Sequence, residues 1–299
     1  QMAFLTTAVE AENARAQALY NRAQAVSNEF TPVFSALSNR LGDTPDLDAL
    51  IGEDPYLREH AYALRKLRER AAHTIDPALE KTVLTMQLTG GRAFSQLRDL
   101  LDGTHLIDVE KDGAVKPLPL SEVRGMAYSP DAAVRRRAYE AELASYPRME
   151  HAMAACLSAI KGEGLTMAGL KKYESPLDWM LDEARMDRPT LTALLSAMEK
   201  SLPAFRRYFR AKAKALGHEG GLPFYDLFAP MGGSEVTYTL EEARALIAEV
   251  LGTFSPEMAA FVNRAFDERW IDAYPKAGKM GGAFCAGVHP LRISYILSN

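Results

Sequence analysis

The side chains best suited to bind a catalytic metal are the histidines, but their spacing does not match a helical zinc site. Such a site needs two histidines four positions apart, so that both lie on one helix face, and a glutamate beside the first. The six histidines are His60, His73, His105, His151, His218 and His289. No two of them are four positions apart, and His218-Glu219 is followed by Gly220-Gly221 and then by Leu222, where a second histidine would have to be. Glycines also disfavour the helix. We therefore predict a loop that binds no metal, and no metal ligands in this chain.

No nucleophile has the sequence surroundings of a catalytic group. The chain lacks the Gly-x-Ser-x-Gly motif that presents a serine nucleophile. Cys285 and His289 are close enough in sequence to form a thiolate pair, but a small buried cysteine on a strand beside glycines is the favoured interpretation. His105 and His151 are interpreted as structural. The sequence therefore predicts no catalytic residue in this chain.

Composition indicates a globular protein and argues against two kinds of partner. The chain has 299 residues, of which 47% are hydrophobic and 25% charged, enough for a large core or two lobes. A net charge of −4 argues against binding to nucleic-acid phosphates, and Arg135-Arg136-Arg137 and Arg206-Arg207 are interpreted as solvated helix faces. No apolar run approaches the about 18 residues of a membrane span. With two distant cysteines and no visible signal peptide, we expect a cytoplasmic protein without disulfides.

Apolar spacing and capping residues predict that most of the chain is helical. One long helical stretch is expected over residues 3–41, which either kinks at Pro32 or restarts there with Thr31 as N-cap. Asp76-Pro77 is expected to cap and begin a helix, and Ser129 to cap another. Thr239 to Glu242 forms a capping-box pattern, and Ser255-Pro256 is expected to begin the helix after it.

Two regions depart from this helical pattern and predict β-structure. Residues 105–110 and 114–118 flank a Lys-Asp-Gly turn and predict a hairpin, and Ile293 to Leu297 predicts a strand behind a glycine-bearing loop. Glycines, prolines and aromatics over 218–238 mark a boundary between a helical lobe, 1–217, and the beginning of a second lobe, 218–299. The predicted fold is mainly α, with a small hairpin and the start of a small sheet near the C-terminus.

Several segments, in this order along the chain, resemble one known family. They are Leu120-Ser-Glu122, Arg136-Arg-Ala-Tyr139-Glu, Lys172-Tyr173-Glu-Ser175, Tyr225-Asp226-Leu-Phe-Ala-Pro230, Arg269-Trp270-Ile271-Asp272, Lys279-Met-Gly-Gly-Ala-Phe-Cys285 and Ile296-Leu297-Ser298-Asn299. Together they resemble oligoendopeptidase F, which belongs to the thimet-oligopeptidase class of zinc metallopeptidases. The resemblance covers most of the chain.

This resemblance implies a fold, an activity and a substrate. The family's fold is an elongated, mostly helical body around a deep channel, with a small sheet near the zinc. Its activity is the hydrolysis of short peptides by metal-activated water, with one zinc ion in the intact enzyme. By this resemblance, Gly282, Ala283, Phe284 and Cys285 are expected to pair with the substrate backbone as an added strand.

The chain departs from the family pattern at the zinc motif. In the family, the strand that resembles Ile296 to Asn299 leads into the zinc-binding helix with H-E-x-x-H, which this sequence lacks. We therefore expect the chain to be the part upstream of that helix and to be inactive alone. The alternative is a non-catalytic helical binding or scaffold protein. The sequence that follows Asn299 would distinguish the two.

Overall fold

The computed structural model describes residues 1–232, 237–288 and 293–297, and these ranges are mostly α-helical. The helices are α1 Met2–Val9, α2 Ala14–Gly42, α3 Leu47–Glu53, α4 Pro55–Glu59, α5 Ala61–Arg70, α6 Pro77–Thr89, α7 Gly91–Thr104, α8 Leu120–Gly125, α9 Ala132–Ser145, α10 Glu150–Leu170, α11 Pro176–Glu183, α12 Arg188–Ala215, α13 Leu240–Gly252 and α14 Pro256–Asp267. The strands are β1 Leu106–Lys111, β2 Ala114–Pro119, β3 Ile271–Asp272, β4 Phe284–Val288 and β5 Ile293–Leu297. The predicted mainly α fold, with its hairpin and its strands near the C-terminus, is confirmed.

Side-chain caps set several helix starts where the sequence predicted them. The Asp76 carboxylate accepts a hydrogen bond from the backbone N–H of Ala78, and Pro77 is the first residue of α6. Thr239 and Glu242 form the reciprocal capping box of α13. The Ser255 hydroxyl caps α14 by accepting a hydrogen bond from the N–H of Met258.

Two helix predictions were wrong for local reasons. Residues 3–41 form two helices and not one: α1 ends at Val9, and α2 begins at Ala14. The cap of α9 is Asp131 and not Ser129: the Asp131 carboxylate accepts from the N–H of Ala133, whereas the Ser129 hydroxyl accepts from the N–H of Asp131 itself. Ser129 therefore stabilises the turn ahead of the helix, two residues before the cap.

The chain divides into two compact units. Unit 1 consists of Gln1–Gln17, Asp99–Glu150 and Ala204–Asn299, and unit 2 of Ala18–Arg98 and His151–Pro203. Each unit is therefore assembled from segments distant in sequence. The lobe boundary predicted between residues 217 and 218 stays a prediction.

Within unit 1, the hairpin packs on helices and supplies a small core. β1 and β2 pair antiparallel with Ile107 opposite Leu118 and Val109 opposite Lys116. Ile107 and Val109 point to one face, as alternation along a strand requires, and they are buried with Val123 of α8 and Ala138 of α9. No helix in the described ranges combines the length and apolar character that crossing a membrane requires.

Candidate functional site

Three of the family-like segments meet in one small sheet of unit 1. The sheet has the strand order β3-β5-β4. β3 is parallel to β5, with Ile271 opposite Ile296, and β4 is antiparallel to β5, with Phe284 opposite Leu297. The strand β5 pairs with both β3 and β4, and it thereby brings together segments separated by up to about thirty residues in sequence.

A buried lysine fastens the loop between β3 and β4. Lys279 is 4% exposed, and its ammonium donates to the Asp272 carboxylate at 3.0 Å, to the Asp272 carbonyl at 3.0 Å and to the Tyr274 carbonyl at 2.8 Å. The three acceptors match the three donors of an ammonium group. Because a buried charge is tolerated only when it is paired, this arrangement fixes the loop that leads to β4.

The other Asp272 oxygen faces β5. The Tyr295 hydroxyl donates to Asp272 Oδ2 at 3.3 Å. Burial of this hydroxyl and the neighbouring Asp272 charge raise the pKa of Tyr295 to about 12. Tyr295 therefore stays a neutral donor and connects β5 to the β3 carboxylate.

Trp270 joins the helix before the sheet to the sheet itself. It is 3% exposed, and its carbonyl accepts from the N–H of Ile296 at 2.9 Å. The preceding residue, Arg269, has a φ of 56°, in the left-handed region that commonly ends helices. The turn at the end of α14 thereby delivers the chain directly into β3.

Among the described strands, β4 lies at the edge of this sheet, and the predicted substrate-contacting residues lie along it and just before it. Phe284 and Ala286 are half-buried, whereas Ala283, Cys285 and Gly287 are exposed, as the alternation of strand faces requires. The prediction that Cys285 is buried was wrong, because β4 directs it to the exposed face of the sheet.

The segment leading into β4 is open. Gly282 is exposed with a φ of 93°, and a Cβ built there would have no heavy atom within 4 Å. Such a φ suits glycine and strains other residues. A cavity of about 470 Å³ is lined here by Gly281 and Gly282 together with Arg124, Tyr128 and Lys279. A second cavity of about 650 Å³ shares Arg124 and Tyr128 with the first.

The outer side of β4 has one described partner. The Gln1 side-chain amide donates to the carbonyl of Gly287. Among the described residues, none bonds from outside the sheet to the main chain of Gly282, Ala283, Phe284 or Cys285. Within the described ranges this edge is therefore open, and alternate residues along it can present their main-chain donors and acceptors.

His218 lies in the loop that the sequence predicted, and its partner is a carboxylate. His218 Nε2 is 2.6 Å from Asp226 Oδ2. The structure places no three His, Cys, Asp or Glu side chains together as a metal site within the described ranges. That His218-Glu219 binds no metal stays a prediction. His289, Ser298 and Asn299, which the sequence analysis also considered, lie outside the described residues.

The remaining histidines singled out from the sequence are separate from the sheet. His105 Nε2 is 2.8 Å from the Ser145 hydroxyl, which fits a structural role. Burial, reinforced by the charge of Arg148, lowers the pKa of His105. His151 is exposed in α10.

Asp226 is the centre of a buried polar cluster that sequence reasoning missed. Arg135 and Asp226 are 3% and 2% exposed, and the Arg135 Nε donates to Asp226 Oδ1 at 2.8 Å. Arg135 also donates to the carbonyls of Ser129 and Pro130 at 2.7 and 2.9 Å. The interpretation of Arg135 as part of a solvated face was wrong, although Arg136 and Arg137 beside it are exposed.

The charge of Asp226 is stabilised by its partners. Burial disfavours the carboxylate, but the hydrogen bonds from His218 and Arg135 outweigh it and lower the pKa of Asp226. Lys212, which is 5% exposed, donates nearby to the carbonyls of Leu227 and Ala229 at 2.9 and 2.7 Å. The segment around Asp226 is thus held against α9 and α12 by hydrogen bonds from the buried cations Arg135 and Lys212.

Comparison with protein families gives two matches. Residues 125–299 match the family described as Peptidase family M3, and residues 40–104 match the one described as Oligopeptidase F. The first match covers more than half of the chain and includes the sheet and the Asp226 cluster.

Individual relatives agree with this assignment. The chain is 25% identical over 288 residues to the Group B oligopeptidase PepB of Streptococcus agalactiae, covering 95% of this chain and 47% of that protein. It is 25% identical over 293 residues to the oligopeptidase PepF of Bacillus subtilis, covering 96% and 42%. The chain therefore spans less than half the length of these two relatives.

A solved structure shows a similar fold. The crystal structure of oligoendopeptidase-F from Enterococcus faecium superposes with a TM-score of 0.67 at 21% identity, covering 90% of this chain and 51% of that one. At this identity the likeness concerns the fold.

Proposed function

Because the chain belongs to peptidase family M3, we propose that it forms part of a zinc-dependent oligopeptidase that hydrolyses short peptides. In this proposal the chain supplies the strand that holds the peptide, and the zinc ligands come from outside its 299 residues. The names of the relatives PepB and PepF, both oligopeptidases, support peptides as the substrate class.

The observation that carries the proposal is the open edge of β4. An extended peptide can add to such an edge as a further strand, with its main chain bonded to the strand and its side chains alternating between the two faces. The small exposed residues Ala283 and Cys285 and the absence of a side chain at Gly282 leave room for close approach. Main-chain pairing gives affinity with little dependence on peptide sequence.

Two cavities of unit 1 provide space for peptide side chains, which supports the proposal. The smaller one borders Gly281 and Gly282, and it shares Arg124 and Tyr128 with the larger one. The larger cavity is lined by further aromatic side chains, among them Tyr139 and Phe224. Aromatic walls suit apolar side chains.

Zinc does not fit any set of side chains in the described residues, where no three potential ligands come together. We propose that the intact enzyme binds one zinc ion through residues outside this chain and that the chain alone does not cleave peptides. A cytoplasmic location belongs to the same proposal and is supported by the absence of a disulfide between the two cysteines.

The experiment compares two proteins on one fluorogenic peptide: the chain of 299 residues and the same chain extended through its natural downstream sequence. We expect cleavage by the extended protein, loss of cleavage with a chelator and recovery on adding zinc. The shorter chain is expected to be inert. Chelator-sensitive cleavage by the shorter chain would refute the proposal that the zinc ligands lie outside it. An extended protein that is folded, loaded with zinc and inert would refute the peptidase and favour a binding or scaffold role.

A further inference from the structure

Unit 2 contains a cavity of about 400 Å³ between α2, α6, α10 and α11. Its size falls within the range of small-molecule sites, which is about 300–1,000 Å³. The apolar part of its wall consists of Phe34, Leu67, Ile75, Leu84 and Met167. Glu80 and Lys171 also line it, so that opposite charges face one cavity.

Glu80 is a buried carboxylate with only part of its hydrogen-bonding capacity used. It is 5% exposed, and the Ser35 hydroxyl donates to its Oε1 at 2.5 Å. No described residue donates to its Oε2. An ionised carboxylate can accept several hydrogen bonds, so Glu80 retains acceptor capacity toward the cavity.

Lys171 is a half-buried ammonium group that forms no direct ion pair with a described carboxylate. Its Nζ lies 4.5 Å from the centre of the Trp179 ring, and it forms no ion pair with any described residue. Burial lowers the pKa of Lys171, and the nearby charges of Glu183 and Asp182 only partly oppose it. Trp179 Nε1 is itself buried without an acceptor in the described ranges.

Two opposite charges therefore line one cavity without a direct ion pair between them. Charges shielded from water are costly unless each has a partner. A ligand that carries an ammonium and a carboxylate on one carbon could satisfy both, with the ammonium at Glu80 and the carboxylate at Lys171. Exposed Arg70 and Glu183, which also line the cavity, keep the balance of charges even.

One wall of the cavity is held in place by stacked rings. The rings of His73 and Tyr173 are parallel at 3.8 Å, and Tyr173 stacks on Trp179 at 6.3 Å. The Tyr173 hydroxyl donates to Asp182 at 2.7 Å, and His73 Nδ1 is 2.9 Å from the Lys171 carbonyl. A site whose walls are fixed in this way needs little rearrangement to bind a ligand.

We propose that this cavity of unit 2 binds a free α-amino acid with an apolar side chain, its ammonium paired with Glu80 and its carboxylate with Lys171. The apolar side chain lies against Phe34, Leu84 and Met167. The inference does not depend on peptidase activity, because no residue of the cavity belongs to unit 1.

The test uses the 299-residue chain and three ligands that share the isobutyl side chain and α-carbon of leucine. They are L-leucine, 4-methylpentanoate, which lacks the amine, and 3-methylbutylamine, which lacks the carboxylate. Binding is measured by calorimetry and by fluorescence, since Trp179 is one of only two tryptophans. We expect saturable leucine binding and affinities about tenfold lower or worse for each analogue, because each leaves one charge without a partner.

Charge-removing variants assign the two contacts. Lys171→Met is expected to weaken leucine binding about tenfold and to leave 3-methylbutylamine binding unchanged, since that ligand has no carboxylate to lose. Glu80→Gln is expected to weaken leucine and to leave 4-methylpentanoate unchanged. Lys172→Met and Glu174→Gln, both at exposed positions, are the matched controls and should bind all three ligands like the parent chain.

Several outcomes would overturn the inference. Leucine that titrates without saturation refutes it, as do analogues that bind as well as leucine to the parent chain. The same conclusion follows if Lys171→Met keeps full affinity for leucine. A variant that loses all three ligands has lost its fold, and the ligand comparison on the unaltered chain then decides.

Discussion

Replacing Arg135 with methionine removes one partner of the buried pair with Asp226 while keeping a long side chain in α9. The variant loses the ion pair to Asp226 and the hydrogen bonds to the Ser129 and Pro130 carbonyls. Breaking a buried pair and leaving its partner uncompensated costs about 3–5 kcal/mol of unfolding free energy. His218 still contacts Asp226, so we expect a value near the lower end of this range.

Arg136→Met is the matched control, because it is the next residue of the same helix. Arg136 is exposed, and its partner Glu140 lies one turn away. Such a pair contributes about 0.3–0.5 kcal/mol. The two variants therefore change the same chemical group and differ in burial, and we expect their costs to differ by a factor of about six or more.

Urea unfolding at neutral pH measures both variants. Trp270 lies in unit 1 and Trp179 in unit 2, so a Trp179→Phe background reports unit 1 by fluorescence. With an m value of about 2 kcal/mol per molar urea, a loss of about 3 kcal/mol lowers the midpoint by about 1.5 M. A midpoint for Arg135→Met that matches Arg136→Met would refute the structural role of the pair.

Three further predictions rest on buried and exposed groups elsewhere in the chain. The folded pKa of Asp226 lies below its unfolded value of about 3.9, so the stabilisation from its charge is present above that pH and is lost as pH falls through the folded pKa. The unfolding free energy, measured with urea from pH 7 to 3, should therefore fall more steeply for the parent than for Asp226→Asn. Parallel pH dependences of the two proteins would contradict this. Lys279→Met leaves the Asp272 carboxylate and two carbonyls without their donor and should lower the unfolding free energy, measured by thermal unfolding, by about 2–4 kcal/mol. Exposed Lys276→Met should lower it by less than about 0.5 kcal/mol. Equal losses in the two variants would contradict a stabilising role for the Lys279 contacts. A thiol reagent should modify exposed Cys285 in the folded chain and buried Cys156 only after unfolding, and two thiols reacting at equal rates would disagree with the structure.

Features determined by neighbouring residues were readable from the sequence. Asp76-Pro77, the capping box at Thr239 and the Lys-Asp-Gly turn each act through contacts within a few positions, and the structure confirms the elements that they begin or join. The strand pattern of Ile293 to Leu297 belongs to the same class.

Features that depend on distant partners were not readable. Arg135 stands in a row of three arginines, and only the approach of Asp226, ninety-one positions away, makes it the buried one. Cys285 follows glycines and a phenylalanine, and its exposure is decided by which face of β4 packs toward Phe4 and Tyr295. Lys279 could be noticed as part of a motif, but its three acceptors are assembled by the fold of the loop.

The edge of β4 is tested most directly by a scan of peptide N-methylation. A short peptide substrate is made in a series, each member methylated at one main-chain nitrogen, and its affinity for the intact enzyme is measured without turnover. If the peptide pairs with β4 as an added strand, alternate amides donate to the strand, and we expect affinity to fall about 3–10-fold at every second position while the positions between them stay near the parent value. Losses without this period of two, or no loss at any position, would contradict pairing along β4.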